Sequence, residues 1–125
     1  MKHITITAGS VSLPAALNDG PTSAKLWDML PLEGSANTWG DEIYFEIPLK
    51  VEEEVDARVE VEVGELGYWP VGHAFCIFFG PTPASRDDQP RAYSPVNILG
   101  CVLGDATLFR PVRSGDRVVL ARRED

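Results

Sequence analysis

Gly67-Tyr68-Trp69-Pro70-Val71-Gly72-His73-Ala74-Phe75-Cys76-Ile77-Phe78-Phe79-Gly80-Pro81-Thr82-Pro83 is the stretch whose reading decides the fold. An aromatic turn passes through Gly72 into an apolar run, and Gly80-Pro81-Thr82-Pro83 stops that run. So short an apolar run, bounded by Gly and Pro, reads as a strand buried on both faces. The same stretch carries His73 and Cys76, so it is also a place to look for chemistry.

Outward from it, the rest of the chain reads as short strands. Ile4 and Ile6 alternate with His3, Thr5 and Thr7, Gly9-Ser10 turns the chain, and Val11-Ser12-Leu13 alternates again, which predicts an opening hairpin. Asn18-Asp19-Gly20-Pro21-Thr22-Ser23 supplies capping residues and a proline suited to a first helical turn. Ala24, Leu26, Trp27 and Leu30 then share a helical face until Pro31 ends it. Ile43, Phe45 and Ile47 lie on one face of a strand that closes at Pro48. Arg58-Val59-Glu60-Val61-Glu62-Val63 is the cleanest period-two pattern, with valines inward and charges outward. Pro95 to Leu103 predicts a further strand, in which Gly100 marks a bulge or a close backbone approach. Ala106 to Arg110 reads as one helical turn cut by Pro111, Arg117 to Leu120 as a last strand, and Arg122 to Asp125 as a frayed tail. About eight short strands with only one or two short helices argue against a parallel βαβ sheet. The expectation is one domain over residues 1–125: a closed, mostly antiparallel β-barrel of about eight strands with one or two short helices.

At 125 residues the chain is long enough to bury a core without disulfides. A formal charge of −8 argues against nucleic acid and anionic membrane as partners, since both require clustered Lys and Arg. The longest apolar run falls far short of the roughly 18 residues of a membrane span, and the N-terminus lacks a hydrophobic signal core. Cys76 and Cys101 both read as reduced and buried, so the protein is expected to be soluble and cytoplasmic.

In order, these elements resemble the cyclophilin fold, and within it the small cyclophilin-like family of uncharacterised bacterial and archaeal proteins. Ile43-Tyr44-Phe45-Glu46-Ile47-Pro48 is similar to the cyclophilin strand Phe-His-Arg-Val-Ile-Pro. Gly72 to Pro83 is similar to Gly-Ser-Gln-Phe-Phe-Ile-Thr-Leu-Gly-Pro-Thr-Pro, and Asn97 to Gly104 to the Val-Phe-Gly-Lys-Val strand. Tyr68-Trp69-Pro70 followed by Phe75 to Pro81 is closer still to the cyclophilin-like family. Cyclophilins are prolyl isomerases whose arginine stabilises the twisted amide in an apolar pocket. Aligned on Pro48, that arginine falls at Phe45, the pocket glutamine at Ala74 and the second phenylalanine of a pair at Cys76. The Gln-Gly-Gly-Asp motif has no counterpart; its region holds Glu52, Glu53, Glu54 and Asp56. The resemblance therefore implies the fold and argues against the usual isomerase chemistry.

The remaining chemistry is sparse. His73 needs an orienting partner to act as a base. Asp41 and Glu42 are adjacent on a strand and point to opposite faces, a poor acid–base pair that reads more simply as turn and strand-edge residues. Glu52-Glu53-Glu54 is read as a solvated loop, without the spaced ligands and glycine turn of a calcium site. Two distant histidines and two strand cysteines make no zinc motif, and no metal site is expected. Cys76, between Phe75 and Ile77, reads as core filling rather than a nucleophile. There is no phosphate loop, no Gly-x-Ser-x-Gly and no dinucleotide fingerprint, so no cofactor is expected.

The aromatics are the better lead. Trp39, Tyr44, Tyr68, Trp69 and Phe75 fall at strand ends and loop junctions, where they either line a groove or plug the ends of the barrel. The expected ligand site comprises Trp39, Glu42, Tyr44, Phe45, Trp69, His73, Phe75 and Cys76. Non-catalytic binding of a peptide segment or small molecule there is the leading reading. Two others stand beside it: an enzyme, either an isomerase with substituted groups or an activity using Glu42, Tyr44 and His73, and a module that assembles with copies of itself.

Overall fold

In the computed structural model, which describes residues 2–123, the hairpin of β1 (Lys2–Ala8) and β2 (Val11–Leu17) leads into helix α1 (Pro21–Met29). Then come β3 (Leu32–Ser35), β4 (Asn37–Thr38), β5 (Glu42–Glu46), β6 (Arg58–Glu60), β7 (Glu65–Trp69) and β8 (Ala74–Phe78). A long β9 (Arg91–Val102), one 3-10 turn (Ala106–Phe109) and β10 (Arg117–Arg122) complete the chain. Every ladder is antiparallel, and the strand order is β3-β10-β1-β2-β9-β7-β8-β5-β4, with β6 added beside β9. Glu124 and Asp125 of the expected frayed tail lie outside the described residues; Arg122 ends β10 and the Arg123 amide donates to the His3 carbonyl.

The sheet does not close into the barrel expected from the strand pattern. The sheet is open: its hydrogen-bonded path starts at β3 and stops at β4, and no ladder among the described residues joins these end strands. The break falls at Ala36. Its N–H donates to the Asp116 carbonyl and its own carbonyl accepts from Gly115, so the turn before β10 takes both of its backbone groups. The two-residue β4 then pairs only with β5, while β3 meets β5 through packing, Gly34 lying against the Phe45 ring.

Two-residue periodicity sorts the side chains into two apolar clusters on opposite faces of this sheet. The larger holds Ile4, Ile6, Ile43, Phe45, Leu66, Tyr68, Phe75 and Ile77, with Leu26 from α1. The smaller holds Val61, Ala74, Cys76, Phe78, Ala92 and Val96, with Tyr44 and Trp69 packed on it. Strand β8 is buried at all five positions because it feeds both clusters, as the apolar run predicted. Trp27 packs on the edge of the larger cluster, with Lys2 and Arg122 cations 5.2 and 5.0 Å from its ring centroid.

The clean alternation of Arg58–Val63 yields only the three-residue β6, and Val63 is left exposed. The cause is local. Glu65 takes the Arg58 guanidinium through both carboxylate oxygens and the Glu62 N–H through one, and this folds the chain into a turn before the ladder can extend. The acidic loop is likewise less free than the sequence implied. Glu54 accepts the Thr22 hydroxyl, and fully buried Asn97 binds the Glu54 N–H at 2.8 Å, the Glu52 carbonyl at 3.0 Å and Thr22 Oγ1 at 3.1 Å. Asn97→Ala removes this partner from the half-buried Glu54 N–H and from the Glu52 carbonyl, Thr22 keeping its bond to Glu54, and is expected to cost about 1 kcal/mol in urea unfolding, the low end of the penalty for unsatisfied polar atoms. An unchanged midpoint would show that water replaces the amide.

Among the described residues no helix is long and apolar enough to cross a membrane. Cys76 is buried as expected, but Cys101 is exposed because its position on β9 points away from both clusters.

Candidate functional site

A cavity of about 120 Å³ opens over the smaller cluster. Its walls are Trp39, Tyr44, Trp69 and Tyr93, its apolar base is Ala92 and Val96, and Glu42 lines it as the one charged residue. Each wall is held by a specific local device. The turn Trp39-Gly40-Asp41-Glu42 joins β4 to β5 with Gly40 at φ 59°, and the Trp39 N–H donates to the Glu42 carbonyl at 2.9 Å, so indole and carboxyl leave the same turn. Alternation along β5 then sends Glu42 and Tyr44 to this face and Ile43 and Phe45 to the main core. The Trp69 indole lies directly over Gly72, where a Cβ would sit 2.4 Å from the ring, and its Nε1–H donates to Ser94 Oγ at 2.6 Å. Trp69 is thereby fixed from two sides.

The four rings form a chain of near-perpendicular neighbours. Centroids are 6.0 Å apart for Trp39–Tyr93, 6.0 Å for Trp69–Tyr93 and 6.2 Å for Tyr44–Trp69, with interplanar angles of 71°, 75° and 80°. Such edge-to-face contacts are favourable for rings and stiffen the wall. Tyr93 is 74% exposed and caps the opening, whereas Glu42 is only 6% exposed.

Burial governs the electrostatics. Loss of water pushes the Glu42 carboxyl up to about 7, and a hydrogen bond donated by the Cys76 thiol holds it back in part. Burial pushes the Cys76 thiol well above its ordinary range, and the neighbouring Glu42 charge adds to this. Cys76 is therefore no nucleophile at neutral pH; it is a donor beneath the carboxyl.

The expected site residues divide cleanly. Trp39, Glu42, Tyr44 and Trp69 meet at the cavity, with Cys76 behind Glu42. Phe45 and Phe75 meet as tilted rings in the main core, centroids 5.9 Å apart, on the opposite face. Tyr68 is also core, its hydroxyl donating to the Leu49 carbonyl at 2.5 Å. His73 occupies the turn before β8 at φ 50°, its carbonyl accepting the Ile47 N–H, and does not line the cavity. Tyr93 was missed by sequence reasoning because Pro95 discourages extending a strand upstream. Pro95 falls where the β6–β9 register shifts between Val96 and Arg91, an irregular stretch that tolerates a missing N–H.

A second, larger groove of about 400 Å³ runs beside β6 and is lined by charges of both signs. Two of its arginines are already engaged, Arg58 with Glu65 at 2.8 Å and Arg91 with Glu60 at 3.4 Å. Among the described residues no cluster of three His, Cys, Asp or Glu side chains is placed to hold a metal ion.

The sequence matches the cyclophilin-like family over residues 2–121. The chain belongs to the cyclophilin-like family. Its fold is similar to the solution structure of a hypothetical protein from Archaeoglobus fulgidus, with a TM-score of 0.82 and 35% identity, covering 98% of this chain and 95% of that one. It is also similar to McbB in complex with tryptophan, with a TM-score of 0.73 over 98% of this chain and 45% of that one. At 17% identity the second likeness shows the fold alone, and the tryptophan is a fact about McbB. No curated protein matches. In this cyclophilin-like domain Phe45 lies in the main core and Ala74 in the smaller cluster beneath the cavity, and no arginine or glutamine is among the residues lining the cavity.

Proposed function

We propose that this cyclophilin-like protein binds a small molecule, or one side chain of a peptide, in the cavity walled by Trp39, Tyr44, Trp69 and Tyr93. The observation that carries this reading is the concentration of four rings and one buried carboxyl around a preformed hollow, the usual make-up of a ligand pocket. At about 120 Å³ the hollow is well below the roughly 300–1,000 Å³ of drug-sized sites. It therefore receives a head group while the rest of the ligand lies outside. The mixed-sign groove beside β6 is the weaker candidate, since its charges already compensate one another.

NMR titration with small organic fragments and proline-containing peptides tests this. Binders are expected to shift the Trp39 and Trp69 indole signals, and Trp69→Ala to weaken binding roughly tenfold, as loss of a ring contact costs about 1.4 kcal/mol. Binders that move only signals around Arg58 and Arg91 would overturn the assignment.

A second reading is favoured by one observation: a carboxyl that titrates at about 7 inside a cavity is matched to proton transfer at neutral pH. It requires turnover of some bound ligand that is abolished in Glu42→Gln. Prolyl isomerisation is not the reaction we favour, because no side chain at the cavity supplies the arginine's donors.

A further inference from the structure

We propose that the cavity selects a cationic head group, an alkylated ammonium enclosed by the four rings with the Glu42 carboxylate facing it. This rests on the binding reading above and names its ligand class. Three observations carry it. First, consecutive walls stand at 71°, 75° and 80° to one another, as the sides of a box do, and ring faces present negative potential to a cation. Second, the one charged residue lining the box is an acid, with no Lys, Arg or His among the lining residues to neutralise it. A buried carboxylate lacking a cationic partner is costly, and a cationic ligand supplies that partner. Third, apart from the carboxyl the lining offers few acceptors. A bare ammonium would forfeit its hydration there, whereas an alkylated one needs few hydrogen bonds and gains apolar contact.

The charge of the surroundings agrees. An anion meets both the ring faces and Glu42, and the net charge of −8 draws cations toward the protein. The groups around Glu42 are Cys76 from β8, Tyr44 on its own strand and Tyr93 from β9, with Asp41 next to it paired to Arg110 at 3.4 Å. None of those facing the cavity is a base. Affinity for a permanent cation should therefore follow ionisation of Glu42 alone and rise about tenfold from pH 6 to pH 8, in proportion to the competent fraction.

The test is a calorimetric titration of the intact protein with choline and with its neutral isostere, in which a tert-butyl group replaces the trimethylammonium. Choline is expected to bind at least roughly tenfold more tightly near pH 8, and Glu42→Gln to remove that preference together with its pH dependence. Circular dichroism of the variant checks that it is folded. A trimethyllysine peptide forms the second arm: tighter binding than choline identifies a protein-borne head group, and equal binding a free small molecule. If the isostere binds as well as choline, the cation assignment is overturned and the ligand pocket stands. If choline, isostere and peptide all fail to bind while other fragments shift the Trp39 and Trp69 signals, the cation assignment alone falls; if nothing shifts them, both readings fall.

Discussion

Glu42→Gln is expected to stabilise the protein by about 3 kcal/mol near pH 8 while changing its stability little near pH 4. The carboxyl titrates at about 7 in the folded protein against an ordinary value of 4.5, because burial disfavours its charge. Between those values the folded state holds a proton that the unfolded chain has released, so stability falls as pH rises. The loss begins above about 4.5 and is complete once pH has passed about 7; below 4.5 both states are protonated and there is no penalty. Glutamine fits the same space, keeps an acceptor for the Cys76 thiol and cannot ionise. Urea unfolding of both proteins at three pH values reads the effect directly. Parallel stability curves would show that water reaches Glu42 and relieves its burial. A group held at such a cost inside a cavity is characteristic of sites kept for function rather than stability.

Gly100→Ala is expected to act in the opposite direction and more strongly, destabilising the protein by roughly 4 kcal/mol from combined overpacking and backbone strain, a large share of the stability of a domain of this size. A Cβ at this position would lie 1.9 Å from the Ala16 carbonyl oxygen, a backbone atom held in the β2–β9 ladder that cannot rotate away. Gly100 also adopts φ 149°, a conformation side-chain-bearing residues rarely take. It sits where the β7–β9 register slips, Leu66 opposite Gly100 and Gly67 opposite Ile98, so the glycine permits the bulge by which β9 passes from β7 to β2. Soluble expression and thermal unfolding measure the outcome; a variant that melts within a few degrees of the parent would mean that β2 can shift to make room.

Gly100 is legible in the sequence. A lone glycine inside a strand pattern signals a bulge or a close backbone approach, and it is both. The doubly buried strand after Gly72, the opening hairpin, the helix behind Pro21 and the turn before Pro111 were legible for the same reason: each depends on neighbours within a few residues. Cys101 and Val63 were misjudged, since strand patterning cannot say how far a ladder runs or which positions a second layer covers.

The candidate site was legible in part. Trp39, Glu42, Tyr44 and Trp69 were all singled out, yet so were Phe45 and Phe75, which share one core contact on the far face of the sheet. Adjacent strand residues point to opposite faces, and deciding which face is the core requires knowing both partners of the strand. Tyr93 closes the box from β9, nearly fifty residues away from Tyr44, through a strand whose start the proline concealed.

The sequence by itself thus determined the family and the antiparallel strands, because these are written in local pattern and in residue identity. Only the tertiary structure decided that the sheet stays open at Ala36, that Tyr93 joins three other rings, and that Glu42 is buried enough to hold its proton near neutrality. Register, closure and desolvation are set by strands distant in the chain, and no local pattern encodes them.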